Sequence, residues 1–154
     1  MPPDDVMSKF ARNPFLRGLE RFAIGHFATQ GDGNHFAYVG HLRSTGQVAL
    51  VTHHGSRGLG AQLYKRGMAV ARRHTAIHAP KVPGHNAWIK ASSDDGRAYW
   101  EALQVVRLWT KANHITIHDL TASRWNANAP KRLHIFPVFK KFAPQDLDAE
   151  KRGE

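Results

Sequence analysis

The sequence predicts an α+β fold, in which a small antiparallel sheet with a motif-bearing hairpin is covered by two or three helices. Three features predict it. His35 to Leu42 and Val48 to His53 are β-type runs joined by Ser44-Thr45-Gly46, a hairpin connection. Ala61 to Ala79 reads as a helix, with Leu63, Val70 and Ile77 on one stripe. Ser92-Ser93-Asp94-Asp95 supplies an N-cap and early acidic residues for a second long helix over Asp95 to Trp125, whose buried face is expected to hold Tyr99, Leu103, Val106 and Trp109.

The remaining elements follow in chain order. Met1 to Asn13 is polar and contains two early prolines, and is expected to fray. Phe15, Leu16, Leu19, Phe22 and Ala23 recur near helical spacing, which predicts a helix over Pro14 to Ile24. Gly31-Asp32-Gly33-Asn34 forces a turn. In the hairpin, the expected register sets His35 opposite His53, Ala37 opposite Val51 and Val39 opposite Ala49. Directly opposed Cβ atoms lie roughly 5 Å apart, a separation from which two imidazoles can converge. A slip of one residue brings His54 opposite His35 instead. Lys65, Arg66, Arg72 and Arg73 lie around the first long helix away from its apolar stripe, and Pro80 and Pro83 close it. After Pro130 the tail alternates basic and aromatic residues. Exposed sheet edges and apolar patches are expected on so small a sheet.

Composition narrows the function. Hydrophobic residues make up 42% of the chain, enough for a core. Lys and Arg number 22 against 12 Asp and Glu, a net charge of +10 that favours a polyanionic partner such as nucleic acid. There is no cysteine, which excludes disulfides and thiolate ligands from this chain and fits a cytoplasmic setting. No apolar run approaches a membrane span and no secretory signal is visible. The 11 histidines raise metal or phosphate contact above its ordinary rate.

Two segments carry candidate chemistry. In Gly31-Asp32-Gly33-Asn34-His35-Phe36, a histidine at a strand end sits beside glycines that let backbone approach a ligand closely. In His53-His54-Gly55-Ser56-Arg57-Gly58-Leu59-Gly60, a Gly-Ser-Arg-Gly turn opens a helix and offers N–H groups and a guanidinium to an anion. Asn34 can donate to phosphate or orient His35.

These two segments, in this order and spacing, resemble signatures of the RtcB family of GTP-dependent RNA-splicing ligases. Thr29 to Phe36 is similar to Gly-Thr-Leu-Gly-x-Gly-Asn-His-Phe, and His53 to Gly60 is similar to His-x-Gly-Ser-Arg-Gly-x-Gly. Asp95-Gly96-Arg97-Ala98-Tyr99 and Ala112-Asn113 resemble the family's Gly-x-x-Tyr helix and Ala-Asn-Arg segment. The resemblance spans about Phe27 to Leu120. It implies joining of an RNA 3′-phosphate or 2′,3′-cyclic phosphate to a 5′-hydroxyl, with GTP and two Mn2+ ions, through a guanylylated histidine. By match, His35 and His53 each ligate one manganese. Asn34, His35, Phe36, Ala37 and Tyr38 fall on the nucleotide-binding strand, and Arg57 with Ser56 meets RNA phosphate.

The chain also departs from the family. The bridging cysteine and its partner aspartate, expected upstream, have no counterpart. Nothing after Trp125 resembles the third metal histidine or the guanylylated one, and His134 stands in no motif. Tyr38 occupies a usual Glu position, and His114 replaces the Arg of Ala-Asn-Arg. The resemblance therefore implies a partial ligase domain over 14–125, preceded by a flexible segment 1–13 and followed by a basic, aromatic tail 126–154. As a single chain it is expected to be inactive, as a truncated product, a fragment, or one half of a split enzyme whose second chain supplies the cysteine and the later histidines. The alternative is a non-catalytic, basic RNA-binding remnant. A separate metallohydrolase would need a third ligand, such as Asp32 or His26, beside His35 and His53.

Overall fold

The computed structural model describes residues 1–125, so the tail 126–154 and His134 lie outside the described residues. It contains four α-helices and one two-stranded antiparallel hairpin: α1 (Asp4–Arg12), α2 (Glu20–His26), β1 (Phe36–His41), β2 (Val48–His53), α3 (Leu59–His78) and α4 (Asp94–Trp125). A short 3-10 turn, Gly84–Asn86, lies between α3 and α4. The α+β class is as the sequence predicts. The helices pack chiefly on one another, and the hairpin lies beside them with Phe36, Tyr38, Val48 and Val51 exposed.

Within the first thirteen residues, expected to fray, Asp4–Arg12 instead form α1. Asp4 and Asp5 stand in its first turn, where carboxylates favour the positive helix end. Val6 and Phe10, one helical turn apart, are buried in the core. Two apolar side chains anchor a helix this short because both are buried in the shared core. Asn13 completes the join: its side chain accepts from the Phe15 N–H and donates to the Ala98 carbonyl of α4.

The helix expected over Pro14 to Ile24 is divided. Gly18 has φ of 81°, a left-handed conformation that ends the first turns, and α2 begins at Glu20. Phe15, Leu16, Leu19 and Ala23 are all buried, so the apolar reading of this stretch holds although its helix is shorter. Arg66, placed by sequence on the outer surface of α3, donates to the carbonyls of Phe15 and Arg17 and secures these turns.

The buried stripe of α3 is Leu59, Leu63, Gly67, Ala71 and Thr75. Ile77, assigned by sequence to that stripe, is 76% exposed. Small residues replace large ones along the real contact because α4 passes closely: a Cβ on Gly67 would collide with the Tyr99 ring. On α4, Ser93 caps the start by accepting from the Gly96 N–H. Ala102, Val105, Val106, Trp109, Asn113 and Ile117 are buried along its length, while Leu103 faces outward.

The hairpin register differs from the expected one by one residue. Phe36 pairs with His53, Tyr38 with Val51 and Val39 with Leu50. The reason lies in the turn. The Leu42 N–H donates to the Gln47 carbonyl, so four residues, Arg43 to Gly46, make the connection, with Gly46 at φ of 69°. A loop of even length shifts every pair relative to a three-residue loop. The shift turns Val39, Leu50 and Thr52 to the half-buried face and leaves Tyr38, Val51 and His53 on the exposed one.

Candidate functional site: a histidine-lined hairpin end

The two glycine-containing segments meet at the open end of the hairpin. His35 directly precedes β1 and His53 closes β2, and their ring centroids are 6.0 Å apart with planes tilted by 34°. His53 is exposed and stacks on Phe36, its register partner, at 5.9 Å. His35 is half-buried, and its Nδ1 is buried without a hydrogen-bond partner.

Glycines make room for this imidazole. A Cβ on Gly55 would lie 2.8 Å from His35 Nε2. A Cβ on Gly31, whose φ is 93°, would collide with both the His35 ring and the Arg57 guanidinium. His35 and Arg57 therefore close on the same glycine. We expect Gly31→Ala to cost roughly 1–2 kcal/mol from its left-handed backbone alone and to displace His35. Urea denaturation and the His35 imidazole NMR signals check this; an unmoved His35 signal would contradict the packing just described.

Arg57 itself adopts φ of 50°, unusual for a side chain of its size, and its Nε donates to Thr29 Oγ1 at 3.1 Å. Strained backbone of this kind concentrates where a loop must present a group. Ser56 is turned inward: its Oγ accepts from the Gly60 N–H at 2.9 Å and so caps the entry to α3. Asn34, Phe36, Ala37 and Tyr38 are exposed around the same end of the hairpin.

Behind this rim lies a second histidine group. With the observed register, His54 falls on the opposite side from His53 and is buried at 3% exposure. Its ring meets His114 of α4 edge-on at 5.1 Å, and the His114 Nε2–H donates to the His54 carbonyl. One turn along α4, His118 Nε2 shares a 2.6 Å hydrogen bond with Thr52 Oγ1. Neither ring nitrogen of His54 has a partner of hydrogen-bonding geometry, although the nearby Gln30 backbone favours its cation slightly. Burial, then repulsion from His114, lowers its pKa from 6.5 to about 4, so the ring is neutral at pH 7. Burial and His114 lower His118 as well.

Asn113 supports the other segment. It is fully buried, and its Oδ1 accepts from the Ala28 N–H at 2.6 Å. Ala28 has φ of 58° and begins the loop that leads to Gly31 and His35. Asn113 and His114 thus hold the two segments from adjacent positions of one helix. Sequence reading matched Asn113 to a motif without finding this task, and passed over His118. The available signal was the spacing of His114 and His118, one turn apart on one helix face.

As a metal site the rim is incomplete. An imidazole bonded at about 2.1 Å holds its centroid roughly 3.2 Å from the ion, so two rings on one tetrahedral ion stand roughly 5 Å apart. The 6.0 Å separation is wider than that. Among the described residues no group of three His, Asp or Glu side chains is placed to hold a metal, and neither Asp32 nor His26 joins His35 and His53. Two neutral imidazoles alone leave a divalent charge uncompensated.

A family model for the tRNA-splicing ligase RtcB matches residues 8–136. The chain belongs to the RtcB family, of which it carries a partial segment. The match reaches further in both directions than the quoted motifs and takes in most of α1. Membership links the chain to RNA ligation, in a family that uses GTP and manganese. No curated protein and no solved structure matches the chain. No helix among the described residues is long and apolar enough to cross a membrane.

Proposed function

We propose that this chain supplies the Asn-His and Gly-Ser-Arg-Gly part of an RtcB-type RNA ligase site. In this reading His35 and His53 each take one of two manganese ions. Asn34 to Tyr38 border the GTP site, and Arg57 meets an RNA phosphate. Ser56 shapes the turn that presents Arg57. The observation that carries the reading is the convergence of His35, His53 and Arg57 on one end of the hairpin. The remaining ligands and the guanylylated histidine then come from a second chain, since this one has no cysteine. The absence of cysteine fits a cytoplasmic setting.

The test is joining of RNA bearing a 3′-phosphate to RNA bearing a 5′-hydroxyl, with GTP and Mn2+. The chain by itself is expected to join none. Addition of a family protein that carries the upstream cysteine and downstream histidines, but is disabled at its own Asn-His motif, restores joining. His35→Ala or His53→Ala in this chain removes that restored activity. Restored joining that survives His35→Ala would overturn the reading.

The excess of Lys and Arg over Asp and Glu, a net +10, favours a second reading, a basic RNA-binding remnant without catalysis. Net charge and the exposed Lys65, Arg72 and Arg73 of α3 would then carry the function. Binding to single-stranded RNA should weaken steeply as salt rises. Affinity that stays level between low and high salt would exclude it.

A further inference from the structure

The far end of α3 carries a histidine pair remote in sequence from both segments. His74 and His78 are four residues apart on the last turns of the helix, so their side chains leave from the same face. Their ring centroids are 4.3 Å apart with planes tilted by 43°. For cis ligands at about 90°, the angle of square-planar and octahedral ions, bonds of about 2.1 Å put two ring centroids roughly 4.5 Å apart, so this pair needs only a slight opening to share one ion. His78 is exposed, and His74 is half-buried with an Nε2 that is buried and has no hydrogen-bond partner.

The surroundings are ordered around the pair. Thr75, buried between the two histidines in sequence, accepts from the Trp88 N–H at 2.9 Å and donates to the Trp88 carbonyl at 3.2 Å. These two bonds pin the chain beyond the 3-10 turn onto α3. The Trp88 indole then meets the His74 ring edge-on at 4.7 Å and lies 6.5 Å from His78. A ring pair held this way loses little side-chain freedom when it closes on a ligand.

We propose that His74 and His78 form a two-histidine site for a late first-row divalent cation, with water filling the other positions. Imidazoles four residues apart on one helix face can close on one ion, and two nitrogen ligands without carboxylate order the metals as Cu2+ over Ni2+ and Zn2+, with Mn2+ weakest. The same order holds for any imidazole pair, so what sets this site apart from the His35/His53 rim is its place at the far end of α3 and its own ring spacing. Binding also ties one helical turn to itself across the end of α3.

The test titrates the full chain with NiCl2, CuCl2 and MnCl2 by calorimetry, while following tryptophan emission. In a background carrying His35→Ala and His53→Ala, one equivalent of Ni2+ should still bind, and Mn2+ should bind at least tenfold more weakly. His78→Ala in that background is expected to weaken Ni2+ at least tenfold. Because His78 is exposed, an unchanged circular dichroism spectrum and melting temperature confirm that the variant folds. Cu2+ should quench emission, and Trp88→Phe should remove most of that quenching while leaving the Ni2+ heat in place. Ni2+ affinity unchanged by both His78→Ala and His74→Ala overturns the proposal, as does loss of all Ni2+ binding in the His35→Ala/His53→Ala background.

Discussion

Trp109→Ala is expected to destabilise the protein by about 3–5 kcal/mol, the largest effect of any single core truncation. Trp109 is fully buried at the centre of α4 and meets Phe27 edge-on at 5.7 Å and 72°. Its removal opens a cavity beside Phe27, within the cluster that also holds Leu59, Leu63 and Val105. The indole Nε1–H is buried without an acceptor, a cost the fold already carries. Trp109→Phe deletes that unpaired donor and keeps an aromatic ring, so its cost should stay below about 1.5 kcal/mol. Urea denaturation of both variants is the measurement. An alanine variant within about 1 kcal/mol of the parent would mean that this helix does not organise the core.

Acidification should destabilise the protein by about 3 kcal/mol through His54 alone. Its folded pKa is about 4 against 6.5 for an unhindered histidine, and each pKa unit corresponds to about 1.4 kcal/mol. Between those two values the unfolded chain binds a proton that the folded chain refuses, so stability rises with pH across the window. The contribution is complete above pH 6.5, falls as the pH drops, and is gone below about pH 4. His118, lowered for the same two reasons, adds loss in the same direction. Denaturation midpoints measured from pH 7.5 to 4 check this in parallel with His54→Asn, whose slope over the window should be much shallower. A slope identical in the variant would place the acid sensitivity elsewhere.

The elements legible in the sequence were those whose patterns are long or punctuated. The capped start of α4 at Ser93, the glycine turns and the two strands all carry local signals strong enough to survive folding. What was not legible depended on partners distant in the chain. Val6 and Phe10 make a helix only because α4 covers them, and the Gly67 face of α3 looks weakly apolar until Tyr99 is laid across it. The register error has a different origin. Ser44-Thr45-Gly46 marks the turn but not its length, and the strands are too small and too exposed for burial to choose between neighbouring registers. His35, His53 and Arg57 could be read from their setting among glycines. The buried role of His54 could not, because it follows from the register, and the anchoring by Asn113 and His114 needs α4 in place.

Ala28, the His54 carbonyl and Thr52 are all held by α4, through Asn113, His114 and His118. The approaches to both glycine segments are therefore riveted to a single rigid rod. The placement of His35 and His53 relative to each other thus depends on one helix that reaches both segments.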